Sequence, residues 1–244
     1  MKKSWQFSID YLQILDENGN CDESLMPQLN ESQIKKMYEL MILARIFDEY
    51  ALKLQREGRI LTFASVKGQE ACQTGSVLAM QDNDWIFPAF RENAAFIARN
   101  YPMEMLYQYW GGDERGMKIP DGLNLFTVAI PVASQIPHAV GFAWGAKLKG
   151  EKIAVVVYFG DGATSEGEFH EVLNFAGVLH LPVVIICQNN QWAISMPRSR
   201  QTASQTLAQK AIAYGFNGIQ VDGNDVFAVY HATKEALEKA RKGE

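Results

Sequence analysis

The chain has 244 residues, 48% hydrophobic and 21% charged, a composition that buries a sizeable core and excludes a minimal scaffold or disorder throughout. Lys and Arg number 23 against 28 Asp and Glu, a formal charge of -5, so no basic field exists to hold a phosphate backbone and nucleic acid is not expected as a partner. Three cysteines, Cys21, Cys72 and Cys187, stand far apart without a C-x-x-C pair, which argues against a disulfide framework or zinc site and fits a reducing compartment.

The opening MKKSWQFSIDYLQILDENGN is interrupted by Asp10, Asp16 and Glu17 and lacks the apolar run of a signal peptide. No stretch is apolar enough to span a membrane, so a cytoplasmic protein with no membrane partner is expected, the mitochondrial matrix remaining open. Residues 1–30 are turn-rich and read as an arm; residues 31–244 read as one α/β domain.

Asn30 and Gln33 form a capping box with Leu29 and Ile34 at the staple positions, predicting a helix start. Ile34, Met37, Met41, Ala44, Phe47, Ala51 and Leu54 continue it at helical period towards Gly58. Helical patterns recur at 68–80 and 91–101, separated by the loop DNDWIFPAFR, where Pro88 forbids continuity. Residues 111–124 are Gly-rich and polar and read as a surface loop. The helix at 136–148 carries Ala139, Gly141, Ala143, Gly145 and Ala146, small residues that permit close backbone approach.

Residues 153–159 form a β-branched apolar run that reads as a strand buried on both faces. A helix at 168–179 and a second buried strand at 183–187 complete a βαβ unit, whose crossover makes the strands parallel. A short strand at 218–221 and a helix at 225–241 extend the alternation. The expected fold is a parallel sheet flanked by helices, with Gly160-Asp161-Gly162 and Asn189-Asn190 at strand carboxyl ends, where such sheets bind ligands.

There a carboxylate from Asp161, an amide oxygen from Asn190 and a nearby backbone carbonyl offer hard oxygen ligands of low total charge. That set suits Mg²⁺ sharing its shell with a diphosphate. Gly160 and Gly162 are expected to let the backbone approach the phosphate, and the amides after Gly162 to face an anion from a helix start.

GDG followed by helix, strand and NN resembles the thiamine diphosphate signature, and QNNQWAIS, VASQIPHAVG and VDGNDVFAVYHATKEA resemble the alpha subunit of heterotetrameric 2-oxo acid dehydrogenases, from about Met37 to Glu244. The resemblance implies a thiamine diphosphate-binding fold carrying the diphosphate and Mg²⁺ half of the site. Asp161, Asn190 and the carbonyl of Trp192 would bind Mg²⁺. Gly162 and Ala163 would meet the diphosphate through amides, Arg91 would pair with it, and Ile130 and Val132 would occupy the turn touching the aminopyrimidine ring. Phe90 stands where the family commonly has Tyr, removing one hydroxyl donor, and Thr62 where an aromatic often lines the substrate side. The family's catalytic histidine would lie beyond Glu244, so the sequence reads as C-terminally truncated.

The activity so implied is oxidative decarboxylation of a 2-oxo acid with acyl transfer to a lipoyl group. The implied partners are a beta subunit, in an alpha2beta2 heterotetramer, and a lipoyl-bearing acyltransferase. QTLAQKAIAYGFNGIQVDG is closest to pyruvate dehydrogenases. Branched-chain 2-oxo acid and acetoin dehydrogenases are the alternatives, along with a cofactor-binding remnant that does not turn over. A plain nucleotide-binding protein would carry a G-x-G-x-x-G loop, which is missing. His138 reads as a helix-end histidine, and His170, His180 and His231 as surface or loop residues. Glu166, Glu168 and Glu171 read as complements to a helix dipole, and residues 198–206 as a polar loop, either of the kind that a cofactor orders or a plain linker.

Overall fold

The computed structural model describes residues 6–244, so residues 1–5 of the expected arm lie outside the described residues. In chain order the elements are β1 (Asp10–Leu12), α1 (Glu31–Arg56), α2 (Glu70–Leu78), β2 (Trp85–Phe87), α3 (Asn93–Ala98), α4 (Met103–Trp110), α5 (Gln135–Lys149), β3 (Val155–Gly160), α6 (Gly167–Val178), β4 (Val183–Gln188), β5 (Trp192–Ala193), β6 (Met196–Pro197), α7 (Arg198–Gln201), β7 (Ile219–Val221) and α8 (Val226–Lys242). Short 3-10 segments occupy Glu114–Met117, Asp161–Ser165 and Ala208–Tyr214.

The predicted βαβ unit is present: β3, α6 and β4 follow one another, and β3 pairs parallel with β4 from Val155↔Val183 to Gly160↔Gln188. The third strand, β2, falls in the stretch expected to be a loop. Its three residues pair Trp85↔Val155 to Phe87↔Val157, and Pro88 ends it by removing a donor. Helix α4 likewise occupies residues to which the sequence pattern assigned no element.

Alternation along the strands divides the core. Val155, Val157 and Phe159 face α5 and α6, packing with Ile136, Ala139, Val140, Phe169 and Leu173. Ala154, Val156 and Tyr158 face the opposite layer, with Phe47 and Leu54 of α1, Phe96 of α3 and Leu237 of α8. Val155, Val156, Val157 and Tyr158 are each 0% exposed; burying one such apolar side chain is worth about 1.5–3 kcal/mol. Helices on both faces explain why the strand sequence is apolar without alternation.

Helix α1 begins as expected, with Asn30 and Gln33 each accepting from the other's backbone N–H. On α5 the small residues divide in role. Ala139 and Ala143 are 0% exposed, whereas a Cβ on Gly141 or Gly145 would meet nothing within 4 Å, so within this chain those two glycines approach no described residue.

Strand β7 does not extend the central sheet. It pairs parallel with β1, Asp10↔Ile219 to Leu12↔Val221, in a separate two-stranded sheet. Asp225 fastens this join: Oδ1 accepts from the amides of Phe227 and Ala228, capping α8, while Oδ2 accepts from those of Ile14 and Leu15 at 2.6 and 2.7 Å. At the other end of the sheet, Asp84, 0% exposed, accepts from the amides of Gln81 and Ala154 and pairs with Arg241 of α8.

Candidate functional site

Three parallel strands ending on one edge of the sheet bring the predicted residues together. Phe90 and Arg91 follow β2, Asp161 to Ala163 follow β3, and Asn190 follows β4. The turn holding Ile130 and Val132 is tied to the same edge, because the Ala129 amide donates to the Ala89 carbonyl at 3.2 Å. At the start of α5, Gln135 Nε2 donates to the Tyr158 carbonyl at 2.6 Å. Ile130 and Val132 are exposed at 54% and 49%, and between them and α5 Ala133 takes φ +70°, a left-handed conformation unusual for a residue with a Cβ.

Asp161 is the centre of the arrangement. It is 2% exposed; Oδ2 accepts from Gln201 Nε2 at 3.1 Å, and Oδ1 is buried without any hydrogen-bond partner. Burial pushes its carboxyl above the ordinary value, opposed by the Gln201 hydrogen bond and the charge of Arg198. A buried carboxylate oxygen lacking a donor is costly unless a cation meets it, so the residue fits a metal.

Asn190 is exposed, and its Oδ1 accepts from the Trp192 amide at 3.0 Å, leaving a second lone pair for a ligand. Trp192 stands opposite Pro197 in the β5–β6 hairpin, and proline brings no N–H to the Trp192 carbonyl. Among the described residues no cluster of three or more His, Cys, Asp or Glu side chains could hold a metal; this single-carboxylate set leaves coordination positions for phosphate and water. Arg91 donates from Nη1 to the Ser65 carbonyl at 2.6 Å and lies over the Phe90 ring at 5.7 Å. Its remaining N–H groups are available to an anion.

One expectation about the GDG turn is corrected, the place of the helix start, and Gly162 has a packing task besides. A Cβ on Gly162 would lie 2.8 Å from Ala193 Cβ, so this glycine is required by the β5–β6 hairpin folded against it, and a Cβ on Gly160 would approach only the Gln188 carbonyl, at 4.0 Å. The amides after Gly162 begin the 3-10 segment, and α6 starts later, at Gly167 behind Glu166. The segment 198–206 is also more than a polar loop. It opens with α7, and Arg198 donates to the Gln191 side chain and to the Ser204 and Gln205 carbonyls.

Sequence reasoning missed a buried polar chain beneath the site. Glu92, 2% exposed, accepts from Gln188 Nε2 and from the Arg91 amide. Gln188 Oε1 accepts from Gln73 Nε2 at 2.9 Å, and Gln73 Oε1 accepts from the amides of Ala94 and Ala95. These contacts tie the Arg91 loop to the strand end carrying Asn190. Burial raises the Glu92 carboxyl to about 7, against the lowering effects of Gln188, the nearby amides and Arg91. The one sequence signal was position: Glu92 directly follows Arg91, and Gln188 directly precedes Asn189-Asn190.

His138 is exposed, with Nδ1 at 2.7 Å from the Ser134 carbonyl. His170 is half-buried against Tyr214, so it is no free surface histidine. Thr62 is exposed at the foot of α1, in the stretch leading to Phe63.

A family profile described as "Dehydrogenase E1 component" matches residues 38–244. The chain is 42% identical over 240 residues to a protein of Staphylococcus aureus (strain Mu50) named pyruvate dehydrogenase E1 component subunit alpha, covering 98% of this chain and 65% of that protein. A protein of the same name from Acholeplasma laidlawii is 44% identical over 230 residues, covering 94% of this chain and 67% of that protein. The chain thus spans 65% of the length of the staphylococcal relative.

Proposed function

For a chain that belongs to the dehydrogenase E1 component family, we propose the role of alpha subunit in a 2-oxo acid dehydrogenase complex, binding Mg²⁺ and the diphosphate of thiamine diphosphate. The substrate is pyruvate, in keeping with the names of relatives at 42% and 44% identity, and the acyl group passes to a lipoyl-bearing acyltransferase. A beta subunit completes the site in an alpha2beta2 assembly. No described helix is long and apolar enough to cross a membrane, and the three cysteines are free thiols; we assign the protein to the cytoplasm.

The observation that carries this reading is the buried, unpartnered Asp161 Oδ1 at the end of β3, on the same sheet edge as Asn190 and Arg91. Asp161 would hold Mg²⁺ with Asn190 and the Trp192 carbonyl, and Arg91 with the amides of Gly162 and Ala163 would neutralise and orient the diphosphate. The Ile130–Val132 turn would support the aminopyrimidine ring. When bound, thiamine diphosphate supplies the nucleophile and electron sink for decarboxylation. The role of this chain is to fix the phosphate end of the cofactor.

Calorimetric titration of Mg²⁺ and thiamine diphosphate into the complete protein, assembled with its beta partner, tests the reading. Asp161→Asn keeps the side-chain shape and removes the charge, and is expected to abolish measurable binding while the circular dichroism spectrum is retained. Unchanged affinity would overturn the assignment.

A further inference from the structure

Gln201 is the last residue of α7, and its side chain bridges three parts of the site. Nε2 donates to Asp161 Oδ2 at 3.1 Å and to the Met196 carbonyl at 3.1 Å. Oε1 lies over the GDG turn, 3.7 Å from where a Gly162 Cβ would stand. Among the described residues Gln201 is the one other residue that donates to Asp161 Oδ2, and none donates to the buried Oδ1. The two oxygens of one carboxylate are thereby made unequal, one held by an amide donor and the other left bare.

We infer that Gln201 is a positioning and metal-selecting residue: by occupying Oδ2 it restricts Asp161 to one-oxygen coordination and so favours Mg²⁺ over Ca²⁺. The physical reason lies in the two ions. Mg²⁺ demands near-ideal octahedral geometry and one oxygen per carboxylate suits it, whereas Ca²⁺ accepts six to eight oxygens and readily takes both from one carboxylate. A donor on Oδ2 also fixes the carboxylate plane, the service that outer partners give to metal ligands generally. Gln201 itself is held by the Met196 carbonyl, and α7 by the Arg198 contacts described above. A glutamine suits this task because it brings a donor without the positive charge of Lys or Arg, which would repel the cation.

This inference rests on the Mg²⁺ and thiamine diphosphate reading, and the experiment separates the two. The full assembled protein is titrated with MgCl₂ and, in parallel, CaCl₂ at saturating thiamine diphosphate, and each dissociation constant is measured calorimetrically. Gln201→Met keeps the side-chain length and removes the donor. It is expected to weaken Mg²⁺ about 10-fold, the lower end for loss of an outer-sphere partner, while Ca²⁺ binds as well as before or more tightly, so that the preference for Mg²⁺ narrows. Gln201→Ala gives the same change in preference, independent of side-chain bulk. A merely structural role predicts that both ions weaken equally, or that Met restores what Ala loses, and either result overturns the inference. Failure of the wild-type protein to bind Mg²⁺ with thiamine diphosphate overturns the cofactor reading itself, and the selectivity inference with it.

Discussion

Replacing Glu92 with Gln should change the pH dependence of stability in a defined window. The carboxyl is buried between the Arg91 loop and β4, which raises it from the ordinary 4.5 to about 7. Below pH 4.5 folded and unfolded chains both carry the proton, and the residue contributes no slope. Between 4.5 and 7 the unfolded chain releases the proton while the folded chain keeps it, so the folded state binds more protons and stability falls as pH rises. At about 1.36 kcal/mol per pH unit the loss reaches about 3 kcal/mol just above pH 7. Glu92→Gln is neutral throughout, and because its one amide oxygen accepts from Gln188 Nε2 or from the Arg91 amide but not from both, it carries a destabilising offset that does not depend on pH. Urea unfolding of the cofactor-free protein from pH 5 to 8 should therefore find the stability difference between variant and wild type moving in the variant's favour by up to about 3 kcal/mol. A difference independent of pH would refute the argument.

Two further substitutions probe the supports of the site. Gly177→Ala would set a Cβ 2.0 Å from the Tyr214 carbonyl oxygen, driving the 208–214 segment off α6 at a cost of about 1–3 kcal/mol or more, measurable by thermal unfolding. Asp84→Ala strands the Arg241 guanidinium, 15% exposed, and the buried amide of Ala154; a loss of about 3–5 kcal/mol is expected, partly recovered in the double variant with Arg241→Met, and an additive double variant would contradict the pairing.

Much of the fold was legible because its signals are local or long. The Asn30–Gln33 box lies within one turn of the helix it starts, and the 153–187 stretch holds a strand, a helix and a strand whose apolar runs have no other use. Strand β2 was not legible: three residues before a proline carry no period to count. The position of β7 was hidden for another reason, since its partner, β1, lies in residues whose sequence reads as turns. Gln73 and Gln188 look like surface residues one at a time, and only the packed structure turns them towards each other. At the site, Asp161 and Asn190 stood out by chemistry, whereas Gln201 sits in a polar run where nothing distinguishes it from Gln205 or Gln209.

The β1–β7 pairing sets a condition on biosynthesis. Strand β1 pairs with residues 219–221, and Gln13 to Leu15 reach side chains 209 to 211 positions away, so apart from the local bridge between Leu15 and Cys21 these long-range partners are missing while the chain is being made on the ribosome. The central sheet has all three of its strands once residue 188 has emerged. Strand β1 is therefore made long before its partner and is among the last elements to dock, waiting as unpaired backbone while the residues between them are synthesised. The charged and turn-forming residues in and after it, Asp10, Asp16, Glu17 and Asn18 to Asn20, suit that wait, since a segment left so long without a partner is exposed to every neighbouring chain.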